Sequence, residues 1–367
     1  MIIIPKHVKN LSPYKAGKPI EELAREKGLK KIVKLASNEN PLGPSPKAIE
    51  AIANHINSLH RYSSPKTLRL VNTIAEKYNK LPEEIIAASG SDSLIQYIVS
   101  TFSVEGDEVL SSEGTFIGWY VSIDKYDRKS INVPLNNYHI DLNGILERIT
   151  GKTRIIYLAN PNNPTGTMFT KSEFENFMSR VPKEVLVILD EAYTIYAEDI
   201  PGYPNGLLYN MENLIVLRTL SKAYGLAGLR AGFAVGPAYL IQELYKMRLP
   251  FEPNSLAQEA AIASFNDDVF LKETIRMNKL SLNMMKDKFD EIGIRYIPTS
   301  ANFYLLLFPD EEFAVRFNEE CLNRGLILRH VKNFMIPNGI RINSGTKEET
   351  EFALKIIEEV YFILLDN

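Results

Sequence analysis

From about residue 84 to 236 of this 367-residue chain, apolar runs of strand length alternate with segments of helical spacing. That alternation is the pattern of an α/β unit on a mainly parallel sheet flanked by helices. Residues 85–88 form one run, lead into Ser89-Gly90-Ser91-Asp92, and pass into helical spacing over 93–102. Residues 154–159 read as a buried strand that stops at Asn160-Pro161; 185–189 ends at Asp190, and 214–217 ends near Ser221-Lys222. Thr170 with Glu173 three residues later reads as a capping box that opens a helix. Beyond 268 the pattern changes to long amphipathic helices (270–292, 310–324, 347–364) with short strands at 303–308 and 326–329. The expected organisation is an N-terminal arm over 1–36, a large domain over 37–267 and a smaller α+β domain over 268–367, to which the arm contributes.

Composition narrows the class of function. With 42 Lys and Arg against 45 Asp and Glu, well mixed, the chain has no general electrostatic pull toward nucleic acid or anionic membranes. The apolar start, Ile2 to Ile4, is cut off by Pro5 before it could act as a signal-peptide core or membrane span. The one cysteine, Cys321, has no partner in the chain, which points to a reducing, cytoplasmic setting. The five histidines show no ligand spacing, so no metal site is expected. Small molecules and other protein chains are the expected partners.

Asn163, Asp190 and Lys222 each lie just past the C-terminal end of an expected parallel strand, about thirty residues apart, roughly one crossover unit each. In open α/β sheets ligands bind outside the carboxyl ends of strands, so the three can share one site. An amide, a carboxylate and an amine around one ligand match what pyridoxal 5'-phosphate requires. Lys222 would form the Schiff base and move the α-proton, once burial and nearby positive charge lower its pKa. Asp190 would hold the pyridine nitrogen protonated, while Asn163 and Tyr193 would donate to the phenolic oxygen. The start of a helix at Ser91 and Asp92 offers backbone N–H groups to the phosphate, joined by the Ser221 hydroxyl and the Arg230 fork. Phe116 could lie on the ring face. Each residue alone has an ordinary reading: an Asp closing an apolar strand also fits a nucleotide site or a plain cap, and a lone Lys is usually a solvated charge. No phosphate-loop motif accompanies Asp190, and only the ordered combination is specific.

Four segments carry a family resemblance: 34–46 (Lys-Leu-Ala-Ser-Asn-Glu-Asn-Pro-Leu-Gly-Pro-Ser-Pro), Asn160 to Gly166, Asp190 to Tyr193, and Thr219 to Gly232. Together they resemble the histidinol-phosphate aminotransferases, and the likeness runs from Pro13-Tyr14 to Thr346. It implies a fold-type I transferase that moves an amino group between glutamate or 2-oxoglutarate and a small phosphorylated amino alcohol or ketone. It implies a homodimer with shared active sites, Tyr62 reaching the cofactor phosphate of the partner. It further implies that Arg329 and Arg341 bind the anionic ends of the substrates, that Asn38 lies in the substrate site, and that Tyr14 closes over it. Arginine forks suit both phosphate and carboxylate.

The sequence departs from the family where Ser63-Ser64-Pro65 follows Tyr62, where Ser93 follows Asp92, where Gly114 precedes Thr115, and where His330 follows Arg329. The first departure lies in a loop expected near the partner's substrate. It leaves room for a different phosphorylated ketone, such as a triose phosphate; because such a scaffold can cleave whichever bond it holds perpendicular to the ring, decarboxylation of a phosphorylated amino acid is a second alternative. A cofactor-binding sensor is the reading from another class, but residues 1–36 are short and mixed in charge for a DNA-binding segment.

Overall fold

The structure, a computed structural model, describes residues 2–11, 20–29 and 31–366. Its centre is a seven-stranded sheet. In chain order the strands are β1 (Val33–Lys34), which lies outside that sheet, then β2 (Ile85–Ala88), β3 (Glu108–Ser112), β4 (Lys129–Val133), β5 (Thr153–Ala159), β6 (Leu186–Asp190), β7 (Leu214–Thr219) and β8 (Gly232–Val235). Their order across the sheet is β2-β8-β7-β6-β5-β3-β4, and every pair is parallel except the two made by β8. β8 runs antiparallel because the connection from β7 holds only the short turn Ala227–Leu229 and no crossover helix.

The central strands are buried on both faces, which is why they read as unbroken apolar runs rather than as alternating ones. One face packs Leu110, Ile156, Leu158, Val187, Leu189 and Val216 into the core shared with Ile74 and Ala260. The other packs Ile86, Val109, Ile155, Tyr157, Ile188 and Leu217 against Ile95 and Ile98 of the Ser91–Phe102 helix, Trp119, and Leu240 and Leu244. The capping box at Thr170 and Glu173 is formed and opens the Lys171–Arg180 helix.

The later strands are β9 (Arg295–Ile297), β10 (Phe303–Leu307), β11 (Leu326–Ile327), β12 (Arg329–His330) and β13 (Gly339–Asn343). Four of them form an antiparallel sheet in the order β12-β13-β10-β9. The helices Asp268–Ile292, Glu311–Asn323 and Lys347–Leu365 supply Met285, Phe289, Phe317, Ile357 and Val360 to a core with Leu306, Ile340 and Ile342. The stretch 326–329, one strand by its apolar pattern, is two, since β11 pairs with β1 and β12 with β13. β1 lies parallel to β11, Val33 opposite Leu326, and Asn343 donates its amide to the Leu35 carbonyl at 3.0 Å.

Candidate active site

Strand ends, not the strands themselves, expose polar groups in a sheet buried on both faces. The ends of β5, β6 and β7 open into a cleft of about 180 Å³ lined by Ser91, Asp92, Phe116, Tyr157, Asn163, Asp190, Tyr193, Ser221, Lys222 and Arg230. All of these but Tyr157 were expected from the sequence. Ser37, Glu39 and Thr219, with the small or rigid Ala159, Pro161, Ala192 and Ala227, complete the wall.

Lys222 follows β7, and its Nζ donates to the Ser37 carbonyl at 3.2 Å. Part of the side chain is open to the cleft, but the amine is walled in by protein, and that burial lowers its pKa to about 8. The positive charges of Arg341 and Arg230 push the same way, against the opposing pull of Asp92 and Glu39. The result is an amine that loses its proton far more readily than a surface lysine.

Asp190 ends β6, and its carboxyl is pushed up to about 6 by burial. Tyr157 donates to Oδ2 at 2.7 Å and the Ala192 amide to Oδ1 at 3.1 Å, both restraining that rise. Tyr193 sits in the turn just beyond; its hydroxyl accepts from Asn38 Nδ2 at 2.7 Å, and its ring meets Phe303 edge-on at 5.2 Å. Burial raises the Tyr193 phenol to about 12, so it stays a neutral donor and acceptor, with Arg341 and Asn38 offsetting part of the shift.

At the other end of the cleft, Gly90 precedes the Ser91–Phe102 helix with φ +88°, and a Cβ there would lie 2.9 Å from Arg230 Nη2. The bare backbone lets the guanidinium come in close. Arg230 donates to Asp92 Oδ2 at 3.0 Å and to Ser221 Oγ at 3.2 Å. Amide groups at a helix start, a hydroxyl and an arginine thus meet within one cradle, the donor set an anion needs.

Arg341 is buried behind Asn163, donating to its Oδ1 at 2.5 Å and to the Ala36 carbonyl at 2.6 Å. Arg329 faces it across the β12–β13 register and packs its guanidinium 5.9 Å from the Phe334 ring centre; neither arginine lines the cleft. Asn38 is buried in left-handed backbone (φ +56°), and its backbone amide donates to Asn343 Oδ1 at 2.9 Å. Tyr62 lies away from its own chain's cleft, 85 % exposed and stacked on Phe251 with ring centres 4.4 Å apart. Tyr14 falls outside the described residues. Among the described residues no cluster of His, Cys, Asp and Glu is placed to hold a metal ion, and no helix is long and apolar enough to cross a membrane.

Tyr157 gave little sign of itself in the sequence because it is one aromatic in an apolar strand. Its parity was the available signal. Tyr157 pairs with Ile188, so period-two alternation puts it on the same face as Asp190 two residues further on.

Residues 30–357 match the family model described as aminotransferase class I and II. With that match the fold and the cleft define a pyridoxal-phosphate-dependent aminotransferase of fold type I, and the donor set in the cleft suits that cofactor: an amine, a carboxylate, an amide with a phenol, and an anion cradle. A histidinol-phosphate aminotransferase of Pasteurella multocida is 41 % identical over 361 residues, covering 98 % of each chain. That of Carboxydothermus hydrogenoformans is 38 % identical, covering 99 % of this chain and 100 % of its own. The crystal structure of histidinol-phosphate aminotransferase from Sinorhizobium meliloti, in complex with pyridoxal 5'-phosphate, superposes with a TM-score of 0.91 at 26 % identity, covering 98 % of both chains. The chain belongs to the histidinol-phosphate aminotransferase group of the class I and II aminotransferase family.

Proposed function

We propose that this enzyme transfers an amino group between glutamate or 2-oxoglutarate and a small phosphorylated amino alcohol or ketone, with histidinol phosphate the first choice. The observation that carries the reading is the convergence of Lys222, Asp190, Asn163 and Tyr193 on one cleft beside an anion cradle; the names of the relatives supply the substrate.

When bound, pyridoxal phosphate supplies an electrophilic carbon and an electron-withdrawing ring that makes the α-proton of an attached amine acidic. Lys222 Nζ would be the attachment point and, with its lowered pKa, the base that would take that proton and return it to the neighbouring carbon. Asp190 would hold the ring nitrogen, and Asn163 and Tyr193 would donate to the phenolic oxygen. The amides of Ser91 and Asp92 with Ser221 and Arg230 would hold the phosphate, and Phe116 would cover the ring. Arg341, which stands behind Asn163 yet close enough to act on the Lys222 charge, and Arg329 opposite it would bind the anionic ends of substrates reaching past the cleft wall, with Asn38 setting Tyr193 and Tyr14 closing the site. The enzyme works as a homodimer in the cytoplasm, Tyr62 of each chain reaching the phosphate site of the other. The chain divides into an arm over 1–36, a cofactor-binding domain over 37–267 and a small domain over 268–367.

The test is the amine half-reaction. Cofactor-loaded enzyme is mixed in turn with histidinol phosphate, serinol phosphate, serine phosphate and glutamate, the visible cofactor band is followed, and products are identified by mass. Conversion of histidinol phosphate at least about tenfold more efficiently than the other phosphorylated amines, roughly 1.4 kcal/mol of discrimination, supports the reading. A silent response there with rapid turnover of serinol phosphate moves the enzyme to another phosphorylated ketone. Release of carbon dioxide from serine phosphate makes it a decarboxylase.

A further inference from the structure

We propose that Tyr157 is a positioning residue for the reaction: its hydroxyl, donated to Asp190 Oδ2, keeps that carboxylate ionised and turned toward the cofactor's ring nitrogen. The inference rests on the assignment of Asp190 to that nitrogen. It adds the residue that makes a fully buried carboxylate usable there.

The geometry comes from the strand register. Tyr157 of β5 stands diagonal to Asp190 of β6 on the same face of the sheet, and the hydroxyl reaches Oδ2 at 2.7 Å. The ring cannot swing away, because it is fully buried and stacked on the Trp119 indole, 4.8 Å between centres and 10° from parallel. Burial and the Asp190 charge both hold the phenol well above its ordinary pKa, so it acts as a fixed donor and never as a competing anion.

The charged surroundings of Asp190 make that donor necessary. Asp92 from the Ser91–Phe102 helix and Glu191 next to it in the chain both oppose its ionisation, as does burial. Tyr193 in the following turn is neutral, and Lys222 faces the same cleft from the loop after β7 with an amine that burial inclines to be neutral too. Among the described residues, only the Tyr157 hydroxyl and the Ala192 amide donate to the Asp190 side chain. A hydrogen bond to the charged form favours that form, so removing the hydroxyl raises the Asp190 pKa beyond about 6 and into the working range. A protonated Asp190 cannot hold a protonated ring nitrogen.

The experiment compares wild type, Tyr157→Phe and Asp190→Asn. Each apoenzyme is titrated with pyridoxal phosphate between about pH 6 and 8.5 to give a dissociation constant, alongside kcat of the loaded enzyme. Tyr157→Phe keeps the buried ring and its stacking, and at neutral pH it should bind the cofactor about tenfold more weakly, the scale of one hydrogen bond to a charged group. Its affinity should recover toward wild type as pH rises, and its loss should begin at a higher pH than in wild type. Asp190→Asn should bind weakly with neither feature. Superimposable wild-type and Tyr157→Phe curves, with Asp190→Asn impaired, would overturn the role of Tyr157 alone. Wild-type binding and turnover by Asp190→Asn would overturn the assignment of Asp190 itself. If Tyr157→Phe does not fold, the infrared carboxyl band of Asp190 in the wild-type holoenzyme, identified by its loss in Asp190→Asn, decides the matter. A carboxylate band at neutral pH supports the proposal and a protonated acid band refutes it.

Discussion

Lys222 and Asp190 are both kept in environments that work against their ordinary charge, and each leaves a measurable trace. A positioned proton-transferring base contributes ~10²–10⁴-fold, so Lys222→Ala should lose at least that much in the single-turnover rate. Cofactor retention after dialysis should persist through Asp190, Ser221 and Arg230; complete loss would mean those contacts do not hold the group. For the apoenzyme, Asp190 has a folded pKa of about 6, above that of an unfolded aspartate. Its contribution to stability is therefore greatest below the unfolded value and is lost as pH rises through about 6. At pH near 8 the ionised, buried group destabilises the empty protein, and Asp190→Asn should raise apoenzyme stability by about 1–3 kcal/mol while impairing cofactor binding. A melting temperature unchanged or lowered at that pH would show that the carboxylate is better solvated than its burial indicates. At this scale the sequence was readable where chemistry sits at strand ends, as with Asp190 and Lys222. It was not readable across 178 positions, as where Arg341 meets Asn163, and was readable for Tyr157 and Asp190 only through strand parity, which needs the register to be known.

At the scale of elements, β6 and β7 are held in register by more than their ladder. Glu191 accepts from Arg218 Nε at 3.0 Å and Nη2 at 2.7 Å, and from the Gly206 amide at 2.5 Å, while Tyr78 lies under the guanidinium at 5.1 Å. Both charges are almost wholly buried. Removing one partner leaves the other uncompensated, so Arg218→Ala should cost about 3–5 kcal/mol of stability, read from denaturant unfolding. Glu191 follows Asp190 directly, and Lys222 lies four residues after Arg218, so the same substitution should loosen the cleft. A loss under about 1 kcal/mol would mean water reaches the pair. The strands that frame this pair were legible because their apolar runs are short, β-branched and closed by polar residues. The antiparallel course of β8 was not, since an apolar run has no direction until its connection is known. Nor was the split between β11 and β12, which depends on which neighbour each half meets.

For the whole molecule, the consequential feature is Tyr62, exposed beside Phe251 and outside the cleft that its own Lys222 lines. If each site takes Lys222 from one chain and Tyr62 from the other, two inactive variants should complement. Mixing Lys222→Ala with Tyr62→Ala chains under conditions that exchange subunits would give mixed dimers with one site intact, restoring about a quarter of wild-type activity on random pairing. Activity no greater than the sum of the separate variants would place Tyr62 outside the partner's site.

The thread from β1 to the end of the chain has a consequence for synthesis. The carbonyl of Ala36 receives its hydrogen bond from Arg341, 305 residues later, and β1 has no strand neighbour until β11 is made. At roughly 5–20 residues per second, the segment leading into the cleft waits on the order of 15–60 s for its partner to leave the ribosome. Through that interval the core that Val33 and Leu35 enter is incomplete, lacking Leu326, Ile340 and Ile342. A strand translated almost 300 residues later, on the roughly 5–20 residues per second scale, is what pairs β1, and a chain interrupted before β11 leaves β1 without its strand neighbour.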